Sequence, residues 1–94
     1  MTPDDLVTAA REILERPTAA TAGLWPRAAA LLARQALEKV LDQLWESSAA
    51  TSGLSQCTMR SQLTCLPTYL NATLAREISY VWAALSEACH YHAY

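Results

Sequence analysis

Apolar residues recur along much of the chain at intervals of three and four, the spacing that places them on one face of an α-helix. The first such segment follows Thr2, whose hydroxyl suits a helix N-cap, and Pro17 is expected to end it. The pattern therefore predicts a first helix over residues 3–16. Its apolar positions are Leu6, Ala10, Ile13 and Leu14.

The longest apolar pattern lies in the next segment. It predicts a second helix that begins at about Leu24 or Pro26 and ends at Ser47. Residues 17–23 connect the first two helices, and this connector is short enough for antiparallel neighbours. The apolar positions of the second helix are Trp25, Ala29, Leu32, Ala36, Leu37, Val40, Leu41 and Leu44.

Two further helices are predicted after a loop. Small polar residues over 47–55 predict a flexible loop, and a short third helix is predicted over about 56–66, ended by Pro67. Asn71 is expected to cap a fourth helix that runs from residue 72 to the end of the chain. The predicted core stripe of this last helix is Leu74, Ile78, Val81, Leu85, Ala88 and Cys89.

These helices, with no strand-like alternation between them, indicate an all-α fold. The predicted architecture is an antiparallel four-helix bundle with two long helices. A length of 94 residues suits one domain, so residues 1–94 are predicted to form a single helical bundle. No Gly, Asn or Pro stops the last helix at Tyr94, and we therefore expect the natural protein to continue beyond this residue.

Composition and charge narrow the function classes. Seven Lys and Arg against nine Asp and Glu give a formal net charge of −2, which excludes a strongly basic nucleic-acid clamp. Only 17% of the residues are charged, which favours a face that associates with a second copy. The N-terminus has no signal-peptide pattern, and residues 28–33 form the longest apolar run. We therefore expect a cytoplasmic protein without membrane contact.

Polar and aromatic residues crowd the end of the fourth helix, and both histidines lie there. His92 follows Leu85 by seven residues, so it is predicted to lie on the core stripe. A second face carries small residues and the other histidine: Ser79, Ala83, Ser86 and His90. A third face carries Thr73, Glu77, Tyr80, Ala84, Glu87, Tyr91 and Tyr94. Three populated faces predict that the helix is covered both by its own bundle and by a partner, with the small-residue face as the first choice for a dimer seam.

The spacing Glu87-x(4)-His92-x-Tyr94 resembles the Arg-x(4)-His-x-Tyr signature on the last long helix of HEPN domains (higher eukaryotes and prokaryotes nucleotide-binding). The run LARQALEKVL at residues 32–41 also resembles the Ala- and Leu-rich second helix of that family. In architecture the resemblance covers most of the chain. It implies a HEPN-like bundle and a homodimer in which two copies of the motif face each other.

The resemblance also implies an activity, because active members of the family cleave RNA without a metal. His92 then matches the histidine that exchanges protons, and Tyr94 matches the supporting tyrosine. Glu87 occupies the arginine position, where a carboxylate repels the scissile phosphate instead of stabilising its charge. Either the chain is non-catalytic, or another cation replaces the arginine: Arg76, Arg60 or one across a dimer.

Two functions therefore remain open from the sequence. The first is an RNA-processing or toxin–antitoxin-type protein of the HEPN kind, which binds RNA or cleaves it without a metal. The second is a non-catalytic helical module that dimerises or docks on a partner protein. Glu87 favours the second function, whereas cleavage lost on His92→Ala substitution would favour the first.

Metal binding and cysteine chemistry are weaker alternatives. Cys89 and His92 lie three residues apart and suit one ion, but four ligands would require Cys57 or Cys65 to converge on them. No Cys-x-x-Cys spacing supports such a site. The three cysteines are interpreted as small buried apolar residues with reduced thiols, and no metal or cofactor is predicted.

Overall fold

The computed structural model of the chain describes residues 1–15 and 25–90. Within these ranges the chain forms α-helices and no strand, which confirms the predicted all-α class. A 3₁₀ helix over Ser52–Gln56 precedes the third α-helix. The four α-helices are α1 (Pro3–Glu15), α2 (Trp25–Glu46), α3 (Met59–Tyr69) and α4 (Ala72–His90).

Helix α1 begins with reciprocal hydrogen bonds between Thr2 and Asp5. The Asp5 N–H donates to Thr2 Oγ1 over 3.1 Å, and the Thr2 N–H donates to Asp5 Oδ2 over 2.9 Å. The hydrogen bond from the Thr2 backbone, followed by the one from its side chain, lowers the pKa of Asp5. The predicted N-cap is thus confirmed, and Leu6 and Ala10 are buried on this helix, which packs against α2.

Helix α2 is the central element, because it contacts α1, α4 and the 3₁₀ helix. It begins at Trp25 and ends at Glu46, close to the predicted bounds. One predicted core residue, Val40, is 46% exposed, whereas Trp45, which the pattern did not select, is fully buried. The buried face is therefore rotated towards Trp45 at the C-terminal end of the helix.

The main core joins three helices at that end of α2. Leu41 and Trp45 of α2 pack with Leu66 of α3 and Ala75 of α4, and each is 2% exposed or less. Partly buried apolar residues surround them: Leu44, Leu54, Met59, Leu63, Cys65, Leu70 and Ile78. This cluster fixes the start of α4 against the end of α2.

The indole of Trp45 has specific polar and aromatic contacts within the core. Its Nε1–H donates to Gln62 Oε1 over 2.8 Å, and Gln62 Nε2 donates to the Cys57 carbonyl over 2.9 Å. The ring meets that of Tyr69 edge-on, with 5.5 Å between the centroids. Because Gln62 is only 4% exposed, these two hydrogen bonds replace the ones that its amide would make to water.

The segment predicted as a flexible loop is partly ordered against α2. Thr51 is 7% exposed, and its hydroxyl donates to the Trp45 carbonyl over 2.6 Å. This bond satisfies a backbone acceptor near the end of α2, and the 3₁₀ helix follows directly. The predicted loop boundary at residue 55 therefore falls inside a helical turn.

Helix α3 differs from its prediction at both ends. It begins at Met59, where Thr58 Oγ1 accepts the Ser61 N–H over 3.2 Å as an N-cap. Pro67 lies inside the helix instead of ending it. The proline removes one N–H donor, but buried Leu66 anchors the last turn, and the Leu70 N–H donates to the Leu66 carbonyl over 2.9 Å.

The predicted core stripe of α4 is wrong by about one position at its start. Leu74 is 40% exposed and Val81 is 45% exposed, whereas Ala75 is buried at 2%. Ala75 faces the main core because its small side chain lets α4 approach the bulky Trp45 closely. Cys89 is buried as predicted, on the same face two heptads after Ala75.

The cysteines have three different environments. Cys89 is buried and Cys65 is half-buried, but Cys57 is exposed, so its interpretation as a buried apolar residue is wrong. Cys57 follows the 3₁₀ helix at the entry to α3, where no other element covers it. Within residues 1–15 and 25–90, no helix combines the length and hydrophobicity that crossing a membrane requires.

Candidate functional site

The side of α4 that points away from the core carries most of the surface chemistry on this helix. We call it the outer face of α4, and all of its members are exposed. They are Thr73, Arg76, Glu77, Tyr80, Ala83, Ala84 and Glu87. It contains the five described residues of the third face predicted from the sequence, whereas Tyr91 and Tyr94 of that face lie outside the described residues. Tyr80, at 76% exposure, is its most prominent aromatic residue.

The predicted catalytic residues are only partly within the described chain. Glu87 lies on the outer face of α4 and is exposed. His92 and Tyr94 lie outside the described residues, so their predicted roles stay predictions. His90 is exposed as the last residue of α4.

The small-residue face that was predicted as a dimer contact is only partly exposed to solvent. Ala83 and His90 are exposed, whereas Ser79 and Ser86 are half-buried. The Oγ atom of Ser86 is shielded from solvent and has no hydrogen-bond partner in the described part. The outer face of α4 is therefore more accessible to a partner than this small-residue face.

An apolar groove runs beside the outer face, between α1, α2 and α4. Three valines that remain exposed line it, one from each helix: Val7 (38%), Val40 (46%) and Val81 (45%). The groove has a volume of about 320 Å³. Its other lining residues are Pro3, Asp4, Ala33, Ala36, Leu37 and Leu85.

A second depression adjoins this groove on α4. It has a volume of about 370 Å³ and shares Val81 with the groove. Its other lining residues are Thr73, Arg76, Glu77 and Tyr80. The apolar groove and the outer face of α4 are thus one continuous surface that combines exposed valines with an exposed tyrosine and charges of both signs.

A separate cavity lies between α3 and α4. It has a volume of about 640 Å³, and the exposed Arg60 and the half-buried Trp82 both line it. Its remaining lining residues are Leu63, Thr64, Ser79 and Ala83. Arg60 is one of the cations considered as a replacement for the motif arginine, and a cavity lined by both an arginine and an aromatic residue suits the backbone and bases of a single-stranded nucleic acid.

No metal site forms in the part of the chain that the structure covers. Among residues 1–15 and 25–90, no three His, Cys, Asp or Glu side chains come together to hold an ion. The predicted pair of Cys89 and His92 lies partly outside these ranges. Cys57 and Cys65 are both free thiols, and they are not brought to Cys89 as a ligand group.

The sequence did not identify the groove valines as surface residues. Val7 was not selected by any pattern, and Val40 and Val81 were assigned to core stripes because their spacing fits. On α2 the missed signal is the width of the apolar face, which leaves Val40 exposed although both α1 and α4 pack against this helix.

Comparisons with protein families, with curated proteins and with solved structures find none that matches this chain.

Proposed function

We propose that this chain acts as a homodimeric helical interaction module, the second of the two functions predicted from its sequence. The observation that carries the proposal is the continuous surface formed by the apolar groove and the outer face of α4. Val7, Val40 and Val81 remain between 38% and 46% exposed there, next to Tyr80. Exposed apolar side chains of this size, gathered on one side, are typical of protein interfaces.

Energetics favour covering this surface. Removing the exposed part of each valine from water would stabilise an assembly by about 1 kcal/mol. Aromatic residues such as Tyr80 are enriched at interfaces, because they bury a large area at a small cost in conformational entropy. The low charged fraction of the chain, 17%, also favours association over a wholly solvated surface.

A charged substitution in the groove tests the proposal. We expect the wild type to be a dimer at tens of micromolar and the Val40→Asp variant to be a monomer, because the substitution places a carboxylate in an apolar interface. The matched control is Leu31→Asp, since Leu31 is 39% exposed on the same helix and points to the opposite side. Light scattering measures the mass, and circular dichroism checks that both variants stay helical.

Two results would contradict different parts of the proposal. A wild-type chain that is monomeric at tens of micromolar would overturn the homodimer. Equal dimerisation of both variants and of the wild type would overturn the assignment of this surface.

A metal-independent RNA-cleaving function of the HEPN kind is the second candidate. The α3–α4 cavity favours it, because Arg60 and Trp82 lie there as a cation and a stacking surface. His92 would serve as the general acid or base and Tyr94 would support it, whereas exposed Glu87 opposes binding of a phosphate. RNA is therefore the second candidate partner, and a second copy of the chain is the first.

An RNA cleavage assay with and without a chelator tests this candidate. We expect any cleavage to continue in the chelator and to fall at least a hundredfold in His92→Ala, the usual size of an acid–base contribution. His90→Ala is the matched control, because it removes the neighbouring imidazole. Cleavage that His92→Ala leaves intact, or no cleavage by the wild type, would exclude the catalytic role.

A further inference from the structure

The outer face of α4 carries one cation, Arg76, and two anions, Glu77 and Glu87, and helical geometry relates the positions of Arg76 and Glu87. Arg76 and Glu87 are eleven residues apart, which is three turns plus about 20°, so they lie on the same side of the helix. The separation along the axis is about 16 Å, too far for a contact within one chain. Both residues are exposed, and neither side chain has a hydrogen bond or ion pair with another residue in the described part.

We propose that two copies of the chain pair antiparallel along the outer face of α4, so that each Arg76 lies opposite the partner's Glu87. This inference rests on the proposed homodimer and specifies its geometry. The twofold axis crosses the outer face at the axial level between residues 81 and 82, midway between the two charges. Because the axis acts on both copies, one such arrangement forms two identical ion pairs, one at each end of the contact.

Charge decides the direction of the pairing. A parallel arrangement about a twofold axis would place Arg76 beside the partner's Arg76 and Glu87 beside the partner's Glu87. Like charges at these distances repel, and such contacts select against one arrangement. The antiparallel arrangement converts both repulsions into attractions without any change in the surface used.

Side-chain size is consistent with the same register. In the antiparallel arrangement the prominent Tyr80 lies opposite the partner's Ala83, with Ala84 close to the axis. A large ring against small side chains allows the helices to approach closely, as in packed helix pairs. Val81 lies on the same edge of the helix as Tyr80 and continues into the apolar groove, so this edge of one copy meets the same edge of the other.

Charge reversal in trans tests this geometry. R76E and E87R each turn both ion pairs into repulsions, and we expect each to weaken self-association at least about tenfold. An equimolar mixture of the two variants restores both pairs, so we expect a heterodimer about as tight as the wild-type homodimer. Sedimentation equilibrium at low salt measures each case, and 0.5 M salt should reduce the differences.

The matched control is K39E, because Lys39 is exposed on α2 and the substitution changes the net charge as R76E does. It should associate as the wild type does. If R76E and E87R associate normally while Val40→Asp is monomeric, the homodimer stands and this register is wrong. If the mixture of R76E and E87R stays monomeric while each variant alone is also monomeric, the pairing of Arg76 with the partner's Glu87 is wrong.

Discussion

Gln62 is the polar residue on which the largest buried side chain depends. It accepts from Trp45 Nε1 and donates to the Cys57 carbonyl, and so links α2 to the start of α3 inside the core. Trp45 is 0% exposed, so no water reaches its N–H if the glutamine is removed. A buried donor without an acceptor loses the full free energy of its solvation.

We therefore expect Gln62→Leu to lower the free energy of unfolding by about 1–3 kcal/mol. The size of the side chain is nearly kept, so the loss reflects the unpaired indole N–H and the Cys57 carbonyl. Urea denaturation measures the change. Gln43→Leu is the control, since Gln43 is exposed on α2 and its substitution should change stability by less than about 0.5 kcal/mol. Equal stability of both variants would contradict the role of Gln62.

The sequence could predict contacts between residues that are close along the chain but not contacts between residues that are far apart along it. The cap at Thr2 was predicted because its partner, Asp5, is three residues away and the residue types are typical of helix starts. The bond between Trp45 and Gln62 joins residues seventeen positions apart, and no local pattern relates them. Trp45 also follows the expected stripe residue Leu44 by one position, and periodicity alone selected the half-buried Leu44 at the edge of the core but not the fully buried Trp45.

The start of α1 makes the stability of this helix dependent on pH. The hydrogen bond that Asp5 Oδ2 accepts from the Thr2 N–H is stronger when the carboxylate is ionised, and the hydrogen bonds with the Thr2 backbone and then its side chain lower the pKa of Asp5 in the folded chain. A lowered folded pKa contributes stability above the unfolded value of about 3.9. That contribution is lost as the pH falls through the folded pKa of Asp5.

We expect Asp5→Asn to reduce the pH dependence of unfolding between about pH 5 and pH 2, because the substituted amide does not titrate. Chemical denaturation at several pH values measures the slope. Asp4→Asn is the matched control in the same turn of α1, and it should retain the contribution of Asp5. A slope that Asp5→Asn leaves unchanged would show that the cap does not couple folding to protonation.

Helix bounds were predictable where a local signal acts alone, as at the start of α4, where Asn71 Oδ1 accepts the Leu74 N–H over 2.8 Å. Pro67 was interpreted as a stop because a proline removes a hydrogen bond, yet burial of Leu66 keeps the last turn of α3 intact. In α4, Leu74 fits the helical period as well as Ala75 does. The choice between them depends on Trp45, which a single-helix pattern does not contain.

Across the whole molecule, the sequence identified the charged and aromatic face of α4 but not the surface that continues it. The valines of α1 and α2 reach this surface only after three helices pack together, so their exposure is a property of the fold and not of any one segment. The resemblance to the HEPN signature predicts a site at Glu87, and the antiparallel pairing that we propose makes this carboxylate the partner of Arg76 in a second copy.

Sedimentation velocity of the wild type, Val40→Asp and Leu31→Asp across a concentration series up to tens of micromolar examines the self-association on which the functional proposal depends. We expect wild type and Leu31→Asp to sediment as species with twice the mass of one chain, and Val40→Asp to remain a single chain. A wild type that stays a single chain throughout the series, or a Val40→Asp variant that doubles its mass as the wild type does, would contradict the proposal.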